Sequence, residues 1–233
     1  RIEVWALHLP RHTTRATEDP CPSLPAAAAA FMAEVSPFLA DKPYALFGQC
    51  IGAYYSLRFT EEMRTALRRR DEVAMVTGGD VAPVVTLPVA ILASACPGPS
   101  DLEVLTTYTR RPTMYEGLKA LSLAIGWSEE EWERFAGNAT LYAALVADVS
   151  MAGMECGLTE ADPLEVPITA LLGELDPVVK RRHVASWMGV TSRSFALEWL
   201  PGQGHNMQFE PPLVECVNHA LLRLADSASL PDR

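Results

Sequence analysis

Residues 48–52 (GQCIG) constrain the fold of this chain more than any other segment. The apolar residues 44–47 before them are typical of a buried strand, and residues 53–59 after them open a helix. Glycines on both sides of a central cysteine allow a sharp turn, in which the central residue adopts a strained backbone conformation. The sequence therefore predicts a strand–turn–helix unit with the Cys50 side chain at its corner.

A cysteine at such a corner is a candidate nucleophile, although a buried structural cysteine is the simpler alternative. The amino end of a helix favours a negative charge, which helps a thiolate to form beside it. Serine is the usual nucleophile in a turn of this type, so Cys50 is a departure from the common pattern. We expect the backbone N–H of Ile51 to donate to an oxyanion and the neighbouring Gln49 to contact substrate.

Two loops near the carboxyl end contain candidate partners for Cys50. Asp176 follows the strand-like residues 166–172, and His205 lies in a glycine-rich loop after the strand-like residues 195–200. A nucleophile, an acid and a histidine occur in this chain order in the α/β-hydrolases. His205 would accept the thiol proton, and Asp176 would hold the imidazole in the required tautomer.

The identity of the acid stays open on these patterns. An aspartate in an Asp-Pro turn, such as Asp176 before Pro177, is often only a turn former. Asp80 is the second candidate, because it follows the strand-like residues 73–76, and Asp101 is the third.

The composition disfavours several classes of function. The 233 residues suffice for one α/β domain with an insertion, and the formal net charge of −10 disfavours nucleic acid and anionic membranes as partners. The five cysteines are scattered and show no metal-ligand or redox spacing, which predicts a reducing cytoplasm and no metal or other cofactor. No apolar run reaches the length of a transmembrane helix.

Periodicity and capping residues predict the remaining elements. The other predicted strands are apolar runs at residues 2–9, within 72–85 and at 88–94. The predicted helices run from Leu24, with Ser23 as its cap, and over residues 51–70, 114–125, 128–135, 138–154 and 211–225. This order of elements predicts an α/β fold, an α/β-hydrolase with a mostly parallel sheet flanked by helices.

Residues 100–160 are predicted to form a helical lid inserted into an α/β core made of residues 1–99 and 161–233. This block is rich in aromatic and methionine side chains at helical spacing, which usually indicates packing within a helical layer. As a group these side chains are also candidates to line an apolar channel for an acyl chain. The candidate substrate-binding residues are Tyr108, Tyr115, Trp132, Tyr142 and Met151.

With these motifs in place, the chain resembles the type II thioesterases of polyketide and nonribosomal peptide assembly lines. The likeness is carried by the motifs at residues 44–52, 173–179 and 202–205, and by a strand and loop at residues 6–11. It implies an α/β-hydrolase fold and, as partner, a carrier protein with a phosphopantetheine-tethered substrate. The residues that it implies as a catalytic triad are Cys50, Asp176 and His205.

The chain departs from that family in two ways. The nucleophile of the family is typically serine, and a glycine-rich turn after an earlier strand supplies its second oxyanion donor. We therefore expect a further stretch of chain before Arg1. Some thioesterases of this kind carry the acid after the strand that follows the elbow helix, which keeps Asp80 as an alternative to Asp176.

A cysteine nucleophile on this scaffold is similar to the off-loading Dieckmann cyclases, which make tetramate and pyridone rings. Transfer of an acyl group between two thiols is nearly neutral in energy, so the acyl group stays activated for attack by a carbanion. We expect ring closure on a carrier-bound polyketide or peptide thioester. The alternatives are hydrolysis, as in an editing thioesterase, and a catalytically inactive binding module.

Overall fold

A computed structural model gives the fold of residues 2–39, 42–77, 86–101, 104, 111–152, 162–208 and 210–228. Asp80 and Tyr108, a candidate acid and a candidate channel residue, lie outside these described residues. The strands are β1 (Ala45–Gln49), β2 (Ala90–Ser94), β3 (Ile168–Gly173) and β4 (Phe195–Leu200). The helices are α1 (Leu24–Leu39), α2 (Ile51–Thr77), α3 (Met114–Ala124), α4 (Glu129–Ala136), α5 (Ala139–Ala152) and α6 (Pro211–Ala228), with 3-10 helices at Thr13–Arg15, Pro99–Asp101 and Arg181–Val190.

The four strands form one parallel sheet in the order β1-β2-β3-β4. Gln49 at the end of β1 lies in register with Ser94 of β2, which lies in register with Leu171 of β3. Parallel strands end at the same edge of a sheet, so the loops that follow β1, β3 and β4 open on one side. The predicted parallel sheet flanked by helices is therefore confirmed.

Helices cover both faces of this sheet. Tyr54 and Leu57 of α2 pack on one face, in a cluster that includes the fully buried Trp187. Leu213 of α6 covers the other face and packs with Leu92 of β2. All five residues of β2 are buried, as expected for a continuous apolar run at the centre of a parallel sheet.

The predicted strand over residues 2–9 is wrong. These residues form no strand, and Val4 and Trp5 are 86% and 54% exposed. The ring of Trp5 instead contacts Phe38 of α1, with 5.3 Å between ring centroids. An apolar run becomes a strand only where a sheet edge accepts its backbone hydrogen bonds, and residues 2–9 pair with none of the described strands.

The extra strand within residues 72–85 is also wrong where the structure describes it, because α2 continues to Thr77. Val73 and Val76 favoured a strand, yet their side chains are 51% and 87% exposed and bury no sheet face. A helix satisfies its own backbone hydrogen bonds, so this segment needs no partner strand. The remainder of the predicted strand, residues 78–85, lies outside the described residues.

The helices predicted between residues 114 and 154 are confirmed as α3, α4 and α5. Thr113 and Ser128 cap α3 and α4 through reciprocal hydrogen bonds with the glutamates three residues later. Asp148 of α5 accepts a hydrogen bond from Tyr55 of α2 at 3.3 Å, which joins the inserted helices to the helix after the elbow. The division of the chain into a core and a lid stays a prediction. None of the described helices is long and apolar enough to cross a membrane.

Candidate active site

Cys50 lies at the corner between β1 and α2, as the sequence predicts. Its φ of 51° is in the left-handed region, which costs a residue other than glycine about 1–3 kcal/mol. The Cys50 N–H donates to the carbonyl of Ser94 at 2.8 Å, and its carbonyl accepts from the N–H of Ala53 at 3.0 Å. These bonds to β2 and to the first turn of α2 hold the strained corner in place.

Replacing Gly48 by alanine is expected to disrupt this corner, whereas the same change at Gly52 is expected to be tolerated. A Cβ at residue 48 would lie 2.2 Å from the carbonyl carbon and oxygen of Gly52, while a Cβ at residue 52 would meet no atom within 4 Å. We expect Gly48→Ala to lower the free energy of unfolding by about 3 kcal/mol, and Gly52→Ala to change it by less than about 1 kcal/mol. Denaturant unfolding of both variants measures the difference, and equal stability would contradict the close approach.

Asp176 is fully buried in the loop after β3, and its carboxylate has three donors. Its Oδ1 accepts the N–H groups of Val178 and Val179 at 2.9 and 2.8 Å. Its Oδ2 lies 2.8 Å from Nδ1 of His205. The two amides fix the orientation of the carboxylate, so the oxygen that faces the imidazole has little freedom to move.

The loops that carry Asp176 and His205 lie close together because Gly173 ends β3 without a side chain. A Cβ at Gly173 would lie 2.5 Å from the carbonyl oxygens of Gln203 and Gly204. Three hydrogen bonds join the two loops, from Glu174 N–H to Leu200 O (3.0 Å), from Leu175 N–H to Gln203 O (2.8 Å) and from Gly202 N–H to Glu174 Oε2 (3.0 Å). This attachment holds the buried His205 against Asp176.

His205 interacts with both Asp176 and Cys50. Burial lowers the pKa of its imidazole, but hydrogen bonding to Asp176 and to Cys50 raises that pKa by more, to about 10 from the usual 6.5. The raised pKa favours the imidazolium form of the ring at neutral pH. A positive charge beside a cysteine favours the thiolate, which is the reactive form of the side chain.

The structure thus brings Cys50, Asp176 and His205 together, whereas the third acid candidate, Asp101, binds a different residue. Asp101 accepts a hydrogen bond from Ser186 Oγ at 2.7 Å and lies in the 3-10 helix after β2. Asp80, the second candidate, lies outside the described residues.

Three of the predicted substrate-binding residues contact one another across the inserted helices. The ring centroids of Tyr115 and Trp132 are 5.4 Å apart, and Tyr142 lies 6.0 and 6.2 Å from them. Trp132 is fully buried, which agrees with the packing alternative for this residue. Met151 is also buried, in a cluster with Phe59 of α2. Their part in binding substrate stays a prediction.

The oxyanion donor and the absence of a metal were further predictions. Ile51 is the first residue of α2, where N–H groups have no acceptor within the helix, so its amide is available next to Cys50. Its catalytic part stays a prediction. Within the described residues there is no group of three or more His, Cys, Asp or Glu side chains that could hold a metal ion.

The sequence predicts Gln49 as a substrate contact, which stays a prediction, but it does not predict that Gln49 and Asn206 hold the histidine loop. The side-chain amide of Gln49 donates to the backbone carbonyl of His205 at 2.7 Å, and Asn206 Nδ2 donates to the carbonyl of Ile125 at 3.1 Å. Asn206 thereby joins the loop to the end of α3. No local pattern signals either contact, because Gln49 and His205 are 156 residues apart in the chain.

A parallel sheet whose carboxyl edge carries a nucleophile corner, an acid loop and a histidine loop has the arrangement of an α/β hydrolase. The chain belongs to the alpha/beta hydrolase family, whose sequence profile matches residues 1–218. A sequence comparison with curated proteins found no match.

Solved structures of proteins from biosynthetic pathways share this fold. The thioesterase RedJ, from the prodiginine pathway of Streptomyces coelicolor, has a TM-score of 0.65 and 21% identity over 92% of this chain and 76% of its own. ClbQ, from the colibactin NRPS/PKS pathway, has a TM-score of 0.66 and 16% identity over 95% and 86%. BorB, a type II thioesterase from the borrelidin cluster, has a TM-score of 0.61 and 22% identity over 95% and 77%. At these identities the likeness shows a shared fold.

Proposed function

We propose that this protein is an enzyme that takes an acyl group from a thioester onto Cys50. The observation that carries the proposal is the buried pair of Asp176 and His205, which interacts with a cysteine at the elbow. Support comes from the fold neighbours RedJ and BorB, which are named as thioesterases. Asp176 orients the ring and stabilises the positive charge that the ring carries as an imidazolium.

In the first step, the Cys50 thiolate attacks the thioester carbonyl and forms a new C–S bond. The carbonyl oxygen becomes an oxyanion, to which the N–H of Ile51 donates. When the carbonyl re-forms, the bond from its carbon to the sulfur of the substrate thioester breaks, and the His205 imidazolium gives its proton to that leaving sulfur. The acylated Cys50 carries no charge, so its contribution to the high pKa of His205 is lost and the neutral ring becomes a base.

The second step that we favour is ring closure, because Cys50 keeps the acyl group as a thioester. His205 would take a proton from a methylene between two carbonyls of the substrate, and the carbanion would attack the acyl–Cys50 carbonyl. A C–C bond forms, the C–S bond breaks, and Cys50 leaves as a thiolate beside the renewed imidazolium. The protein would then be an off-loading Dieckmann cyclase that makes tetramate or pyridone rings.

Hydrolysis is the second candidate, and the names of the fold neighbours favour it. BorB and YbtT are type II thioesterases, and YbtT belongs to a yersiniabactin NRPS/PKS pathway. In this case His205 would activate a water molecule against the acyl–Cys50 thioester, which would release a linear acid.

For either reaction we propose a carrier protein as partner, with the substrate tethered through phosphopantetheine. Support comes from the NRPS/PKS pathways to which ClbQ and YbtT belong. The phosphopantetheine arm would enter at the carboxyl edge of the sheet, where Cys50 lies.

A single substrate distinguishes these functions. We expect that incubation with a β-ketoacyl-aminoacyl thioester on a carrier protein yields a cyclic product. Its mass is that of the linear acid minus one water. Mass spectrometry of the products separates the two, and linear acid alone would assign hydrolysis instead. If no product forms and iodoacetamide labels Cys50 no faster than Cys21, Cys96 or Cys216, the proposed enzyme activity is wrong and a binding module remains.

A further inference from the structure

We infer that Gln49 is a positioning residue, which sets the place of His205 relative to Cys50 through the backbone of the histidine loop. The inference rests on the proposed function of Cys50. The Gln49 side-chain amide donates to the carbonyl of His205 at 2.7 Å. Gln49 is the last residue of β1 and directly precedes Cys50, so the strand that presents the sulfur also holds the residue that carries the base.

The histidine loop is held at three places, one of which is the bond from Asn206 to the carbonyl of Ile125 at the end of α3. The other two join the loop to the elements that carry the acid and the nucleophile. Near β3, the acid loop bonds it through the pairs Leu175–Gln203 and Glu174–Gly202. At the end of β1, which β2 separates from β3, the side-chain amide of Gln49 donates to the carbonyl of His205. The attachment near β3 sets the distance from the imidazole to Asp176. The attachment at β1 sets its distance to the sulfur, because it joins the loop to the strand of the nucleophile.

The environment of the Gln49 side chain supports this assignment. Its Oε1 is buried and has no hydrogen-bond partner among the described residues, so its polar contact is the amide bond to His205. A buried polar group that lacks a partner costs free energy, and a side chain that served only to fill space would be apolar. The bond to the carbonyl of His205 is thus the polar interaction that the structure gives the Gln49 side chain.

Ser94 offers a matched control for Gln49. It is in register with Gln49 on the neighbouring strand, so the two side chains point to the same face of the sheet. Ser94 is fully buried, and its hydroxyl has no partner among the residues that the structure describes. Replacing Ser94 by alanine changes the same buried region without touching the contact to His205.

The test compares Gln49→Met and Ser94→Ala in the full chain, without any substrate. Gln49→Met keeps the length of the side chain and removes the donor. We measure the rate at which iodoacetamide alkylates Cys50 across the pH range, with thermal unfolding of each variant. A displaced imidazolium stabilises the thiolate less, so we expect alkylation of Gln49→Met to fall about tenfold at neutral pH and to recover in alkaline buffer. Ser94→Ala is expected to keep the wild-type pH profile.

Gln49→Asn provides a second variant, because it keeps the amide and shortens its reach by one methylene. We expect the same neutral-pH loss from it as from Gln49→Met. A wild-type pH profile in both variants, or an equal loss at every pH that follows a lower melting temperature, overturns the inference. If Cys50 of the wild-type protein is itself no more reactive than the other cysteines, the proposed function fails first and this inference fails with it.

Discussion

Replacing Cys50 by alanine is expected to abolish product formation and to leave the folded protein intact. The covalent step requires the sulfur, so we expect the rate to fall by a factor on the order of 10³ to 10⁶. The backbone bonds of residue 50 to Ser94 and Ala53 do not involve the side chain and persist in the variant. Turnover of a carrier-bound thioester measures the loss, and thermal unfolding shows whether the fold is retained.

Replacing Cys50 by serine is the informative control for that experiment. The high pKa of His205 depends in part on hydrogen bonding and charge at Cys50, and a hydroxyl does not supply the same charge. An acyl group on serine is an oxygen ester, which is a weaker electrophile for a carbanion than a thioester. We expect Cys50→Ser to release linear acid or to stall as an ester. Ring closure at the wild-type rate would refute the explanation based on the thiol.

Replacing Asp176 by asparagine is expected to lower kcat/KM by about 10³- to 10⁴-fold. The amide of asparagine can still accept from Val178 and Val179 through its oxygen, so the loop keeps these bonds. The other end of the side chain becomes an NH₂ group, which faces Nδ1 of His205 and favours the wrong tautomer. The imidazole also loses the carboxylate that raises its pKa, so fewer molecules hold the imidazolium at neutral pH. A kinetic pH profile measures both effects.

Asp80→Asn and Asp101→Asn are the matched controls for this change. Asp101 accepts from Ser186, and asparagine preserves that acceptor, so we expect activity near that of the wild type. The same is expected of Asp80→Asn, if Asp176 is the acid that orients His205. A large loss in Asp80→Asn beside an active Asp176→Asn would move the role of the acid to Asp80.

Most of the secondary structure near the candidate site could be predicted from local patterns. Apolar runs bounded by turn residues indicated β2, β3 and β4, and capping residues indicated the start of α4. The corner at Cys50 was also predictable, because glycine at residue 48 relieves a backbone contact that lies within four residues of it. These features depend on neighbours in the chain, so the sequence contains their signals.

Other features could not be predicted, because they depend on which distant groups are available. Residues 2–9 have the composition of a strand, but they pair with none of the described strands. Aromatic spacing could not tell a channel from the mutual packing of Tyr115, Trp132 and Tyr142. Among the acids, the pattern left alternatives to Asp176, and the bond to His205 appears only in three dimensions.

The sequence by itself determined the cysteine corner, the order of nucleophile, acid and histidine, and the apolar strands that lead to each. These follow from backbone sterics and side-chain periodicity over a few residues. Only the tertiary structure decided that Asp176 meets His205 and that Gln49 holds the histidine loop. The order and register of β1 to β4 set those distances. Hydrogen bonds between these strands bring together side chains that are far apart in the sequence.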